Sequence, residues 1–228
     1  MVKSPWLAYA QANETAVLRL FCFPHAGGGA NGYREWVAGL APEIEVLPVQ
    51  LPGREMRFLE RPFDRMASLL DALLLALRPF LDKPFAFFGH SLGALVSFEL
   101  ARRLEQDGFM AQHLFVSGYG APHLPVKLPP MHHLDDEQFV LALRDLGTVP
   151  TAVLQNEELL ELLLPMLRAD FAIYERYQYQ DAPPLSCPLT ILGGQDDPLV
   201  PPEMLDSWAQ HSTQPRGVHL FSGGHFYL

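Results

Sequence analysis

Residues 89–93 read Gly-His-Ser-Leu-Gly, a G-x-S-x-G pattern between the apolar run FAFFG (85–89) and the helix-forming stretch LGALVSFELARRLEQ (92–106). A strand before the pattern and a helix after it make a nucleophile elbow. The tight turn strains the serine backbone, the glycines let strand and helix approach closely, and the hydroxyl stands free at the strand end. The bland alternative is a serine in an ordinary strand–helix turn, and the full G-x-S-x-G pattern between a strand and a helix favours the elbow and singles out Ser91. A serine hydroxyl is a weak nucleophile. It needs a base, and the base needs a carboxylate to orient it.

On sheets of this kind the partners follow in the chain order Ser, Asp, His. LTILGGQDDPLVPP (189–202) places Asp196 and Asp197 just past a strand end, and VHLFSGGHFYL (218–228) places His225 in a glycine loop after the last strand. Of the nine histidines, His219 lies inside a strand run, His132 and His133 sit in a proline-rich and solvated stretch, and His113 begins a strand at the wrong end of the sheet. His90 belongs to the elbow itself, lining the nucleophile or pointing away from it. Only His225 combines a strand end with a small-residue approach. Between the carboxylates Asp197 is favoured, three residues after Gly194 and directly before Pro198-Leu199-Val200, while Asp196 is left as a turn or capping aspartate.

The stretch PHAGGGANG (24–32) follows the apolar run VLRLFCF, and its glycines at 27, 29 and 32 fit G-x-G-x-x-G. A dinucleotide fold would place an acid at the end of the second strand to hold the ribose. That strand ends in VQLPGRE, so Gln50 takes the place and Glu55 comes too late. The Gly-Lys-Ser/Thr of a phosphate loop is missing as well. Backbone amides after an early strand also serve as an oxyanion hole, with one donor from this loop and one from the residue after the nucleophile. Those donors are expected to be Ala26 and Leu92, with His25 and Gly27 touching the substrate.

The elements that must position these groups are readable too. Six short apolar runs (17–23, 44–51, 85–89, 113–118, 189–193 and 218–223) alternate with helical patterns around 64–79 and over 92–106. Near-continuous apolarity predicts strands covered on both faces, and the alternation predicts an α/β fold with a mostly parallel central sheet and helices on both sides. Between the strands near 118 and 189 an insertion opens with APHLPVKLPP (121–130) and continues with helical patterns over 135–147 and 156–177, where Pro165 marks a kink or boundary. The whole chain, 1–228, reads as a single domain with this insertion at about 121–180. Its 228 residues are 49% hydrophobic and 18% charged, as expected of a folded globule. A formal net charge of -10 disfavours nucleic acid and anionic membranes as partners. The N-terminus has no apolar signal segment, and LLDALLLALRPFL (69–81) is too short and too charged to span a bilayer, so a cytoplasmic protein is expected. Cys22 and Cys187 are expected to be buried thiols, and no metal-ligand spacing involves them.

LFCFPHAGGGANGYREW, VLPVQLPGREMR, FFGHSLGALVSFELARRL and GGHFYL together resemble the signature blocks of type II thioesterases, the discrete α/β-hydrolases of polyketide and nonribosomal peptide biosynthesis. The resemblance implies an α/β-hydrolase fold in which Ser91, His225 and an acid of the Gln195-Asp196-Asp197 turn form a triad and the insertion is a helical lid over the acyl pocket. It also implies hydrolysis of acyl groups from the phosphopantetheine arm of acyl or peptidyl carrier proteins, clearing stalled or misprimed synthases. No metal or organic cofactor is implied, since phosphopantetheine belongs to the substrate, and the enzyme is expected to be a monomer. Family members continue past the histidine with a final helix, whereas this sequence runs three residues beyond His225. Carrier proteins are acidic, so Arg54, Arg57, Arg61 and Arg65 are the local candidates for docking. Glu55, Glu60 and Asp64 nearly balance them, which reads as a solvated mixed-charge loop, and docking through apolar contacts near the lid is equally open. A carboxylesterase or lipase, a medium-chain fatty acyl thioesterase and a non-catalytic binding protein on the same fold are the alternatives.

Overall fold

The computed structural model describes residues 4–125, 129–147 and 149–228. All six expected strands form: β1 (Leu18–Phe23), β2 (Ile44–Pro48), β3 (Phe85–His90), β4 (His113–Ser117), β5 (Leu185–Gly194) and β6 (Ser212–Phe221). They make one parallel sheet in the order β2-β1-β3-β4-β5-β6. The chain first steps from β1 to β2 and then returns to the other side of β1, so the direction of winding reverses between β1 and β3. At such a reversal the loops beyond the carboxyl ends of the two strands diverge and leave a crevice. Here those loops are the glycine stretch after β1 and the G-x-S-x-G turn after β3.

The strands alternate their side chains between two cores. Phe21, Phe23, Leu47 and Phe87 face helices α2 (Met66–Leu77) and α3 (Leu92–Gln106), which bring Leu69, Leu73, Leu95 and Phe98 to the larger core. Leu20, Cys22, Val46, Ala86 and Phe88 face Tyr33 and Val37 of the segment leading into and along α1 (Arg34–Gly39). Both thiols are buried and free.

Cover on both faces holds for the middle of the sheet and fails at β6, where most residues are exposed, Leu220 and Phe221 among them. β6 also begins earlier than its apolar run, at Ser212, and takes in Pro215 and Gly217. An edge strand needs ladder bonds on one side only, so it tolerates a proline, and irregular pairing with β5 accompanies the left-handed Gly217 (φ 88°).

Helices α4 (Asp136–Leu146), α5 (Thr151–Leu154) and α6 (Glu157–Arg176) lie between β4 and β5 in the chain, and of the expected insertion residues 126–128 and Thr148 lie outside the described residues. Asp135 caps α4 by accepting from Gln138 N–H at 2.8 Å, and Asn156 caps α6 by accepting from Leu159 N–H at 3.0 Å. α6 runs through Pro165 without a boundary. Pro165 and Glu161, whose carbonyl loses its helical donor, are both exposed, so the missing bond falls on the solvent side of the helix. Phe139 and Leu143 of α4 pack on Met166, Leu167 and Phe171 of α6, a small separate core that also touches Ala26 in the glycine loop. Among the described residues no helix is long and apolar enough to cross a membrane.

Candidate active site

The turn after β3 places Ser91 at φ 53°, ψ -120°, in the region L-residues avoid. Such a conformation costs on the order of 1–3 kcal/mol and persists only where the surroundings enforce it. Here Ser91 N–H donates to Ser117 O at 2.8 Å, while strand and helix close in on both sides. A Cβ on Gly89 would overlap the Gly93 carbonyl, and one on Gly93 would overlap the carbonyl of Phe23 at the end of β1. Both glycines of the pattern are therefore demanded by backbone contact, and the second presses the elbow against the glycine loop.

Asp197 and His225 meet across the ends of β5 and β6. His225 Nδ1 lies 2.8 Å from Asp197 Oδ2, and Asp197 Oδ1 accepts from the amides of Leu199 (2.9 Å) and Val200 (3.1 Å). Burial works against the charge on Asp197. His225 and those two amides outweigh it, and the carboxyl sits below its ordinary range. Asp196 is exposed, and its amide donates to Gly223 O, which ties the acid turn to the histidine loop. The adjacent pair is thus divided by burial.

Ser91, Leu92 and His225 line one cavity of about 80 Å³ together with His25 and Ala26. The rest of its wall is apolar, with Tyr119, Leu124, Phe171, Met204 and Phe226 prominent, and Phe171 belongs to α6. Among the described residues Ser91 Oγ makes no hydrogen bond, as is common for a nucleophile without its substrate. Ala26 N–H and Leu92 N–H likewise make none among the described residues, so both remain available to an acceptor in the cavity. Gly27 does not reach the cavity wall. Its amide donates to Asp170 Oδ2 at 2.8 Å, and a Cβ there would strike Leu167 of α6.

His90 is buried against the cavity-lining His25, His225 and Phe226 and is not itself part of the wall. Its Nδ1 bonds Ser117 Oγ at 2.8 Å, and that hydroxyl bonds Tyr227 OH at 2.6 Å. Its ring packs 5.1 Å from that of His225. Burial, and then the neighbouring His225, push His90 down to about 3 and His25 to about 4; burial, and then His123, push His211 to about 4. These histidines stay neutral in the fold, whereas the unfolded chain protonates them below their ordinary value of 6.5. Their contribution is therefore complete above that value and is lost as pH falls from it toward their folded values. Asp197 acts later, because its stabilisation fades only below the ordinary carboxyl value of 3.8. Thermal melting as a function of pH is expected to show the midpoint falling already below about 6.5. A midpoint flat down to about 4 would mean that these rings charge freely in the folded protein.

Other sequence expectations are redrawn by the structure. Arg54 and Arg57 are buried and spent internally, so they are no part of a solvated docking loop. Arg54 pairs with Asp170, and Arg57 pairs with Glu60, donates to Gln50 O and stacks over Trp6 at 4.1 Å. Arg61 and Arg65 are the two that remain exposed. His132 is partly buried against Glu175, which also accepts from the Met131 and His132 amides, while His133 is exposed. Asp170 was not singled out by sequence. The available signal was an acid placed on the apolar stripe Leu163, Met166, Leu167, Phe171, Tyr174, where a carboxylate needs a partner.

Gln50 decides what the glycine loop can hold. Its side chain is buried, accepting from Ala30 N–H at 3.2 Å and donating to Arg54 O at 3.0 Å. The place of a ribose-binding acid is filled by an amide already committed to the loop backbone.

Residues 18–228 match the model of the thioesterase domain family. The chain is 47% identical over 229 residues to a protein named linear gramicidin dehydrogenase LgrE from Brevibacillus parabrevis, covering 99% of this chain and 87% of that one. It is 43% identical to the gramicidin S biosynthesis protein GrsT from Aneurinibacillus migulanus, covering 98% and 88%. Among solved structures, the type II thioesterase BorB from the borrelidin biosynthetic cluster superposes with a TM-score of 0.89 at 40% identity, over 100% of this chain and 94% of that one. The dehydrogenase name of LgrE finds no support in the glycine pattern of this chain, because Gln50, after β2, stands where a dinucleotide fold places its ribose-binding acid. With a six-stranded parallel sheet, an elbow serine and a family match over nearly its whole length, the chain belongs to the thioesterase family of α/β-hydrolases.

Proposed function

We propose that this protein releases acyl groups from the phosphopantetheine arm of acyl or peptidyl carrier proteins, through an acyl-enzyme on Ser91. The observation that carries the mechanism is the buried 2.8 Å contact between His225 and Asp197 beside the cavity that holds the strained Ser91. His225 takes the Ser91 proton as Oγ attacks the thioester carbonyl. The oxyanion of the tetrahedral intermediate is received by the Ala26 and Leu92 amides, each such donor being worth roughly 3 kcal/mol in the transition state. Collapse breaks the C–S bond, and His225 returns the proton to the departing thiol. A water then attacks the acyl-serine, gives its proton to His225, and the carboxylic acid leaves as Ser91 recovers its hydrogen. Every step uses side chains and backbone of this chain, so the reading asks for neither metal nor organic cofactor. It takes the protein as a cytoplasmic monomer, with the helices α4–α6 as the lid over the acyl group and His25 against the substrate.

The relatives from gramicidin and borrelidin pathways favour a synthase-bound carrier over a free ester. The test compares kcat/KM for an acyl-phosphopantetheinyl carrier protein with that for the matching oxygen ester. The carrier thioester is expected to be preferred by at least about tenfold, or ~1.4 kcal/mol. Faster turnover of the ester would turn the reading toward a carboxylesterase.

A further inference from the structure

Asp170 sits on α6 in the insertion, and Arg54 sits in the loop after β2. The two are joined through a bidentate pair, Nη2 to Oδ1 at 2.7 Å and Nη1 to Oδ2 at 2.9 Å, with side chains 4% and 1% exposed. Two charges buried this deeply gain little net stability from each other, because desolvation offsets most of their attraction. What they hold is more informative. Asp170 Oδ2 also accepts from Gly27 N–H at 2.8 Å, and Arg54 Nη1 also donates to Gly28 O at 2.9 Å. The pair therefore grips two consecutive residues of the glycine loop, one by its amide and one by its carbonyl. Gly27, at φ 78°, gives its amide to Asp170 on α6, while the preceding residue, Ala26, lines the cavity. Gln50 fixes the far side of the loop through Ala30 N–H and binds the Arg54 carbonyl, so the grip is itself braced.

We propose that Arg54 and Asp170 are positioning residues that set the direction of the Ala26 amide, making the oxyanion hole complete only while α6 is docked on the glycine loop. This rests on the acyl-transfer reading above. A donor displaced by about 1 Å can cost about 100-fold in rate, so the effect belongs to kcat. Substrate binding to the apolar wall is left in place, so KM should change little.

The double substitution Arg54→Met with Asp170→Leu removes both buried charges together and avoids stranding either one. It is expected to fold with a melting midpoint near that of the wild type and to lose about 10- to 100-fold in kcat with KM within about twofold. In amide hydrogen exchange, protection at Gly27 should fall while α3 and the central strands keep theirs. The milder Asp170→Asn, which keeps an oxygen for Gly27, should lose less in both measures and covers the case in which the double variant does not fold. Wild-type kcat together with undiminished Gly27 protection, in whichever variant folds, would overturn the proposal and leave the pair a packing device. The exchange arm needs no turnover, so it tests the grip even if the wild type proved inactive toward carrier thioesters. That inactivity would strike the functional reading alone.

Discussion

Ser91→Ala is expected to lower kcat for carrier-bound thioesters by about 10⁴- to 10⁶-fold, the range seen when a hydrolase loses its nucleophile. The substitution removes one oxygen atom and nothing that holds the turn. The elbow is built by the Ser91 N–H bond to Ser117 O and by the Gly89 and Gly93 backbone contacts, none of which uses the hydroxyl. The melting midpoint should therefore stay close to that of the wild type, since Ser91 Oγ has no hydrogen bond to lose among the described residues. What remains in the variant is the cavity, the free amides of Ala26 and Leu92, and His225 held by Asp197. Those groups alone can still speed hydrolysis by water to a small degree. The cleanest measurement pairs steady-state hydrolysis with mass spectrometry of protein quenched during turnover. Wild type should carry the acyl mass on the peptide containing Ser91, and the variant should carry none. Turnover within about tenfold of wild type would remove the serine from the mechanism.

How much of this was legible in the sequence follows from the range of the interactions involved. The elbow is written in five consecutive residues, and the conformation of Ser91 needs only its neighbours to be small. The six strands were visible as apolar runs because a parallel sheet between two layers leaves few polar positions, and β1 to β4 appear within three residues of their expected limits. β5 and β6 both begin earlier than their apolar runs, β5 at Leu185 and β6 at Ser212; as an exposed edge β6 is free to begin with Ser212, Thr213 and Gln214, so its first half carries no apolar signal. α6 was legible in length, yet Pro165 was read too strongly, because the rule against interior proline assumes that the freed carbonyl has no water to meet. The arginines of the loop after β2 were misplaced for a different reason. Charge along a sequence says nothing about a carboxylate 116 residues away, and Arg54 becomes internal only when the insertion folds back over the sheet. The same long reach explains why Gly27, placed correctly in the loop, turned out to face α6 and not the cavity.

Asp197→Asn is expected to cut kcat by about 10⁴-fold, with Asp196→Asn nearly silent, and the argument turns on which atoms each carboxylate supplies. Oδ1 of Asp197 accepts two backbone amides, from Leu199 and Val200, so an asparagine at this position must keep its carbonyl oxygen there. Its NH₂ group is then forced toward His225 Nδ1, where the carboxylate oxygen now lies at 2.8 Å. A donor facing Nδ1 requires Nδ1 to be the unprotonated nitrogen, which moves the ring proton to Nε2. A protonated Nε2 cannot take the proton of Ser91, and the lost negative charge no longer supports the imidazolium that would form. The packing is unchanged, so the defect should appear in kcat with the fold intact and with KM little altered. Asp196 is exposed and contributes its backbone amide to Gly223, a bond that an asparagine side chain leaves untouched. The discriminating measurement is the ratio of the two variants' rates under one set of conditions. A severe Asp196→Asn and a mild Asp197→Asn would mean that the acid turn rearranges when substrate binds, and that the 2.8 Å contact belongs to the resting protein alone.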